Sequence, residues 1–393
     1  MAASQEMINK YLMNTTRIPV VLVRGQGARV WDEGGKEYLD FVGGWAVCGL
    51  GHCHPVMVDA LVKQAHLLTQ AAPHIPTPPQ LQLAELLVKN SCLNRVFFQS
   101  SGAEANEGAL KLARRYGKLK LNGAYEVITA LNSFHGRTLA MTAATGQPHY
   151  QDPYQPLPVG FKNVPFNDVA AIKAATSSQT CAIMLEPVQG EGGVNIPADD
   201  YLKQVRQWCD EKGMLLILDE IQTGIGRCGT LFAYQQFGVE PDIMTLAKGL
   251  GNGIPIGAFM SKEHCSVFVP GEHGSTYGGN PLMCAVGYAV VKHVIENGIP
   301  DNSRRVGQYL LERLKALRKK HALITDVRGR GLLAAIEFDR NISQDVMMSC
   351  LKEALLVNNV KANAIRLMPP LIIGNKEVDE AVEILDKVLS AVK

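Results

Sequence analysis

Between residues 95 and 247, short apolar runs alternate with stretches whose apolar residues recur every three or four positions. The runs at 95–99 (RVFFQ), 127–131, 181–188, 214–219 and 242–247 read as buried strands. The stretches at 105–116, 168–175 and 198–212 read as amphipathic helices. Strands alternating with helices build a mostly parallel sheet covered on both faces, so an α/β fold is expected. In such sheets ligands collect beyond the carboxyl ends of the strands, and those ends are where chemistry should be sought.

The chain changes character towards its C-terminus. Long helices are expected at 281–297, entered through Gly279-Asn280 with Pro281 in the first turn, and at 302–320. A strand at 332–338, a helix at 343–357, a turn-rich segment around Pro369-Pro370 and a last helix at 376–392 follow. The expected organisation is a large domain over 51–297 and a smaller α/β domain over 298–393. The N-terminal segment 1–50 should carry a hairpin of 20–23 with 29–31 across Gly25-Gln26-Gly27, and should pack with the small domain.

Of the 393 residues, 47% are hydrophobic and 19% charged, enough apolar surface for a sizeable core. With 39 basic and 37 acidic side chains the formal charge is +2, which gives no electrostatic case for nucleic acid or an anionic membrane. No apolar run reaches the roughly 18 residues of a membrane span, and the first residues lack the basic start and apolar run of a secretory signal. The nine cysteines form no C-x-x-C pair. A reducing cytoplasm is therefore expected.

Three strand ends carry candidate chemistry. Ser100-Ser101-Gly102-Ala103 follows the first run and opens a helix, so its free N–H groups suit a phosphate, although capping by serine is the commoner role of such a turn. Asp219 ends the run LLILD, where a buried carboxylate can keep a pyridine nitrogen protonated. The same pattern could be a Walker-B metal ligand, but no G-x-x-x-x-G-K-[ST] loop accompanies it. Lys248, 29 positions on, ends another run before a glycine-rich turn. A desolvated lysine loses its proton readily and attacks aldehydes. A ring-nitrogen partner and a Schiff-base lysine are together what pyridoxal 5′-phosphate (PLP) requires.

Two other patterns point elsewhere and are weaker. Gly224-Ile225-Gly226-Arg227-Cys228-Gly229 matches G-x-G-x-x-G, but no good helix opens from it and no acidic strand end follows about 20 positions on. His52-Cys53-His54 lacks the further Cys/His pair a tetrahedral zinc site needs, so no metal is expected.

Taken together, these residues resemble the class III (ω-amino acid) aminotransferases, PLP enzymes of fold type I, and most closely their acetylornithine branch. The resemblance runs over nearly the whole chain. It includes Gly51–Pro55, Ser101–Asn106, Ser133-Phe134-His135-Gly136-Arg137-Thr138, Glu186–Gly193, Asp219–Gln222, Pro241–Lys248 and His273–Pro281. It implies that Lys248 binds the cofactor covalently and shuttles the proton, that Asp219 pairs with the ring nitrogen, and that Gln222 lies near the ring hydroxyl. Phe134 would stack on the ring. Ser101, Gly102 and Ala103 would hold the phosphate, with Thr276 reaching in from the neighbouring subunit of a homodimer with shared active sites. Arg137 and Ser275 are expected to bind substrate, with Arg137 on the distant carboxylate. Glu191 would mask Arg366 for the amino donor and release it for 2-oxoglutarate.

The implied reaction moves the ω-amino group of N-acetylornithine, or a similar donor, to 2-oxoglutarate, a step of arginine biosynthesis. Ornithine, 4-aminobutyrate and succinylornithine are alternative donors. A glutamate-1-semialdehyde type aminomutase is disfavoured because that relative lacks the arginine after His-Gly. Some positions depart from the acetylornithine pattern. Thr15 replaces a common tyrosine, Ala72-Pro73-His74-Ile75-Pro76 replaces a Ser-Asn segment followed by aromatics, Trp45 replaces isoleucine and Cys228 replaces threonine.

Overall fold

A computed structural model describes residues 2–392. Its centre is a sheet of seven strands among the described residues: β4 (Arg95–Gln99), β5 (Glu126–Ala130), β6 (Phe161–Val164), β7 (Thr180–Leu185), β8 (Leu215–Asp219), β9 (Ile243–Leu246) and β10 (Gly257–Ser261). Their spatial order is β4-β10-β9-β8-β7-β5-β6. Only β10 runs against its neighbours β4 and β9; the other pairings are parallel. The fold is the α/β class expected.

The strands β7, β8 and β9 are buried along their whole length, which is why they read as unbroken apolar runs. Their residues still alternate between two packing faces. Leu215 and Ile217 join the cluster containing Ala109 and Ala113 of the helix Gly102–Lys120, whereas Leu216 and Leu218 join the main core on the other side. The period of two puts the next residue, Asp219, on the side of that helix.

Preceding these, β1 (Leu22–Gln26), β2 (Arg29–Asp32) and β3 (Glu37–Asp40) form a meander. Gln26 pairs with Arg29, so the turn is Gly27-Ala28, which overlaps the expected Gly25-Gln26-Gly27 only at Gly27. Gly27 has φ +57°, the left-handed value that a tight turn demands. The C-terminal part adds β11 (Ile324–Arg330), β12 (Leu333–Phe338), β13 (Leu355–Leu356), β14 (Asn358–Lys361) and β15 (Ala364–Leu367).

The helix expected over 343–357 stops at Lys352. Ala354 turns the chain at φ +67°, and Leu355 and Leu356 then pair in parallel with Leu39 and Asp40 of β3. The run ALLV is compatible with either period, and pairing with a distant strand decides it. The helix expected from residue 302 begins earlier, as Ile299–Lys320, with Pro300 in its first turn. No helix among the described residues is long and apolar enough to cross a membrane.

Candidate active site

The carboxyl ends of β4, β5, β7, β8 and β9 open onto one cavity of about 440 Å³. After β4 come Ser101, Gly102 and Ala103; after β5, Phe134, His135 and Arg137; after β7, Glu186 and Glu191. Asp219 and Gln222 reach it from β8, and Lys248 from β9.

Ser101 caps the helix Gly102–Lys120, its Oγ accepting from the Glu104 N–H at 3.2 Å. Its carbonyl accepts from the Ala105 N–H at 3.0 Å. The N–H groups of Gly102 and Ala103, which have no acceptor within their own helix, are left at the cavity wall beside the positive end of the helix dipole. The approach is close enough that a Cβ on Gly102 would meet Ile221 Cδ1 at 2.9 Å.

Asp219 is buried and held from three sides. Its Oδ1 accepts from the Ile221 N–H at 3.0 Å, and its Oδ2 accepts from Asn106 Nδ2 and His135 Nδ1, each at 2.8 Å. Asn106 also donates to the His135 carbonyl at 2.7 Å. Burial pulls the His135 imidazole down, but its hydrogen bond to Asp219 and that carboxylate's charge more than offset this and leave it raised. His135 Nε2 is buried without a hydrogen-bond partner among the described residues.

Glu186 lies against the same cluster, accepting from the Phe134 N–H at 3.1 Å and, more weakly, from that of Gly190 at 3.4 Å. Burial, with Asp219 adding to it, pushes its carboxyl up to about 8 despite the opposing charge of His135.

Lys248 adopts φ +43°, an uncommon conformation for a residue with a side chain and one that concentrates at functional sites. Its ammonium makes no hydrogen bond or ion pair among the described residues. Burial pulls its pKa down, Glu191 opposes this, and the net shift is downward.

Arg366, from β15, is fully buried. It meets Glu191 at 2.8 Å and donates to Gln222 Oε1 at 3.0 Å. Asn358 Oδ1 accepts from its Nε at 3.1 Å and from its Nη2 at 2.8 Å. Burial alone would raise Glu191; Arg366 first and Lys248 second hold it below the ordinary carboxylate range. Gln222 Nε2 lies 3.4 Å from the same Glu191 oxygen.

These residues fit PLP at each end of the molecule. A neutral-prone lysine suits the aldehyde, the triply anchored Asp219 suits a protonated ring nitrogen, Phe134 offers a ring face, and the helix N-terminus suits the phosphate. The chain matches the family model for class-III aminotransferases over residues 11–389. It belongs to that family. As a class-III aminotransferase it is a PLP-dependent enzyme.

Among its relatives, an acetylornithine aminotransferase from Caldanaerobacter subterraneus is 50% identical, the match covering 98% of each chain. The ornithine aminotransferase of Toxoplasma gondii has a solved structure that superposes with a TM-score of 0.95 at 34% identity, covering 99% of this chain and 95% of that one. The acetylornithine aminotransferase of Elizabethkingia anophelis gives 0.89 at 32%, covering 100% and 99%.

Not every expected site residue lies in the cavity of this aminotransferase chain. Thr276 is exposed, its carbonyl accepting from Gln70 Nε2 at 2.7 Å. Ser275 Oγ accepts from the Gly278 N–H at 3.0 Å, and neither residue is part of the cavity wall. Conversely, Asn106, His135, Glu186 and Asn358 carried no expected role. Glu186 directly follows the end of β7, much as Asp219 closes β8, so the same rule could have singled it out. Asn358 gave no such signal. Of the two weaker patterns, the dinucleotide-like and the zinc-like one, the second has His52 paired with Asp40 at 2.7 Å, and in the first the buried Arg227 donates to the Leu332 carbonyl at 2.9 Å.

Proposed function

We propose that this aminotransferase takes the ω-amino group of N-acetylornithine and delivers it to 2-oxoglutarate, giving a semialdehyde and glutamate. The observation that carries the reading is the contrast between two arginines. Arg137 stands exposed at the cavity and is free to take a carboxylate, whereas Arg366 is buried and neutralised by Glu191.

A donor whose carboxylate lies far from its reacting amine needs only Arg137, through the paired N–H groups a guanidinium offers. 2-Oxoglutarate has a second carboxylate beside its reacting carbon and needs Arg366 as well. Glu191 serves the first case by staying on Arg366 and the second by leaving it. Acylation favours acetylornithine over ornithine, because it removes an ammonium that would otherwise sit near the Arg137 cation.

Bound PLP supplies an electron sink for the pair released when the C–H bond beside the amine breaks. Lys248 takes and returns that proton, and Asp219, backed by His135 and Asn106, keeps the ring nitrogen protonated. Phe134 would cover a ring face, and the N–H groups at 102 and 103 would take the phosphate.

Exposed apolar side chains support a homodimer, among them Trp45, Leu67, Leu68, Ile75 and Tyr277. Tyr277 adjoins Thr276, which would then reach the partner's phosphate site. The nine cysteines are unpaired, which supports a reducing, cytoplasmic setting.

Ornithine is the second reading, supported by the likeness to the Toxoplasma enzyme. A panel of N-acetylornithine, ornithine, 4-aminobutyrate and succinylornithine, each with 2-oxoglutarate and read by glutamate formed, tests the choice. Acetylornithine should give the highest kcat/KM. A higher value for ornithine, 4-aminobutyrate or succinylornithine would overturn the donor assignment and leave the family standing.

A further inference from the structure

Arg137 carries the distant carboxylate in the reading above, yet no acidic side chain clamps it. Among the described residues it makes no hydrogen bond or ion pair. It lies instead on aromatic rings. Its guanidinium carbon is 3.7 Å from the centroid of the Tyr150 ring and 5.4 Å from that of Phe134. The two rings meet edge-on, with centroids 6.1 Å apart and planes at 79°. The His149 ring lies 3.9 Å from that of Tyr150.

This shelf is fastened to the scaffold. Tyr150 belongs to the short helix Pro148–Gln151. Gln151 Nε2 donates to the Thr145 carbonyl at 2.8 Å and reaches Asn163 Oδ1 at 3.2 Å. Gln147 Nε2 donates to the Ser133 carbonyl at 2.9 Å, beside Phe134 in the chain. The ring under Arg137 and the ring at the cofactor cavity are thereby tied to one loop.

We propose that Tyr150 is the positioning residue for Arg137, a specificity element for carboxylated substrates. A carboxylate partner would orient the guanidinium only by occupying its N–H groups and cancelling its charge. A ring face orients it through the ring quadrupole and leaves all five N–H donors and the full charge for substrate. The inference rests on the assignment of Arg137 to a substrate carboxylate. It adds that the aromatic face, and not the phenol, sets the affinity. The Tyr150 hydroxyl makes no hydrogen bond among the described residues.

The test uses the holoenzyme with leucine, phenylalanine or a series of ring-fluorinated phenylalanines at 150. Tyr150→Leu should raise KM for 2-oxoglutarate and for the amino donor by about two- to fivefold, the order expected for losing a cation–π contact at an exposed site. Its kcat at saturation should stay near wild type. Tyr150→Phe should behave as wild type. Phenylalanines with increasing ring fluorination keep the shape and weaken the quadrupole, so they should raise KM in step with fluorine number.

Binding of glutarate, an unreactive dicarboxylate, followed through the cofactor absorbance, should weaken in parallel. Reaction with a primary amine lacking any carboxylate should not change in any variant. An unchanged KM and glutarate affinity in Tyr150→Leu, a Phe variant as impaired as Leu, or a fluorine series without trend would each overturn the proposal. Because glutarate binding needs no turnover, a wrong donor assignment would show only in the wild-type panel and would leave the Tyr150 result readable.

Discussion

Arg366 Nη2 lies 2.8 Å from Glu191 Oε1, with the arginine fully buried and the glutamate at the cavity wall. Asn358 and Gln222 keep the guanidinium in place from two other sides, so in the proposed gating Glu191 is the member that would move. Arg366→Ala should cripple reaction of the aminated enzyme with 2-oxoglutarate while sparing its amination by the donor. Losing a hydrogen-bonded charge pair in a desolvated site costs about 2–5 kcal/mol, much of it from the carboxylate left unpaired. Stopped-flow absorbance resolves the two half-reactions. Equal damage to both would remove the gating role from the pair.

Asp219 faces two side-chain donors, Asn106 and His135, through one oxygen. Asp219→Asn should preserve the fold and some cofactor but slow the proton-transfer step by orders of magnitude, since a neutral amide cannot hold the ring nitrogen protonated. The check is a single-turnover rate. A near-normal value would reduce Asp219 to a structural strand end.

These two residues were not equally legible. Asp219 and Lys248 stand out because buried parallel strands read as continuous apolar runs, and a charged residue closing such a run is conspicuous. Arg366 lies in the four-residue strand β15 with no local signal, and only resemblance singled it out. Its anchor Asn358 is eight positions away on β14, and strand pairing brings the two together. Tyr150 sits in a four-residue helix, too short for any periodicity. The misplaced hairpin turn and the overextended helix at 343–357 share one cause. Pairing of β1 with β2 and of β3 with β13 is fixed by contacts that a local pattern does not contain.

Lys248 makes the most direct prediction about covalent chemistry. Borohydride treatment should fix the cofactor irreversibly to the protein, and peptide mapping should find the label on Lys248. Lys248→Ala should bind the cofactor weakly and lose nearly all turnover, because tether and proton carrier vanish together. A label on another lysine would sink the assignment.

Glu186 predicts how stability varies with pH. Its carboxyl is raised from 4.5 to about 8 in the folded protein, chiefly by burial. The folded state therefore binds a proton that the unfolded chain releases near pH 4.5, so this contribution to stability is fully present below that pH. It is lost progressively as pH rises to about 8, and the loss is on the order of a few kcal/mol. Glu220, raised to about 7 by burial, and His135, raised by Asp219, slope in the same direction, so the wild type alone cannot isolate Glu186. Glu186→Gln keeps an uncharged side chain of similar shape, including an oxygen for the Phe134 N–H. With both proteins saturated with PLP, Tm should fall less in the variant than in the wild type between pH 5 and about pH 8.5. The gap between them should move in the variant's favour as pH rises. Parallel slopes would mean that Glu186 is ionised in the folded enzyme, with His135 as its counter-charge.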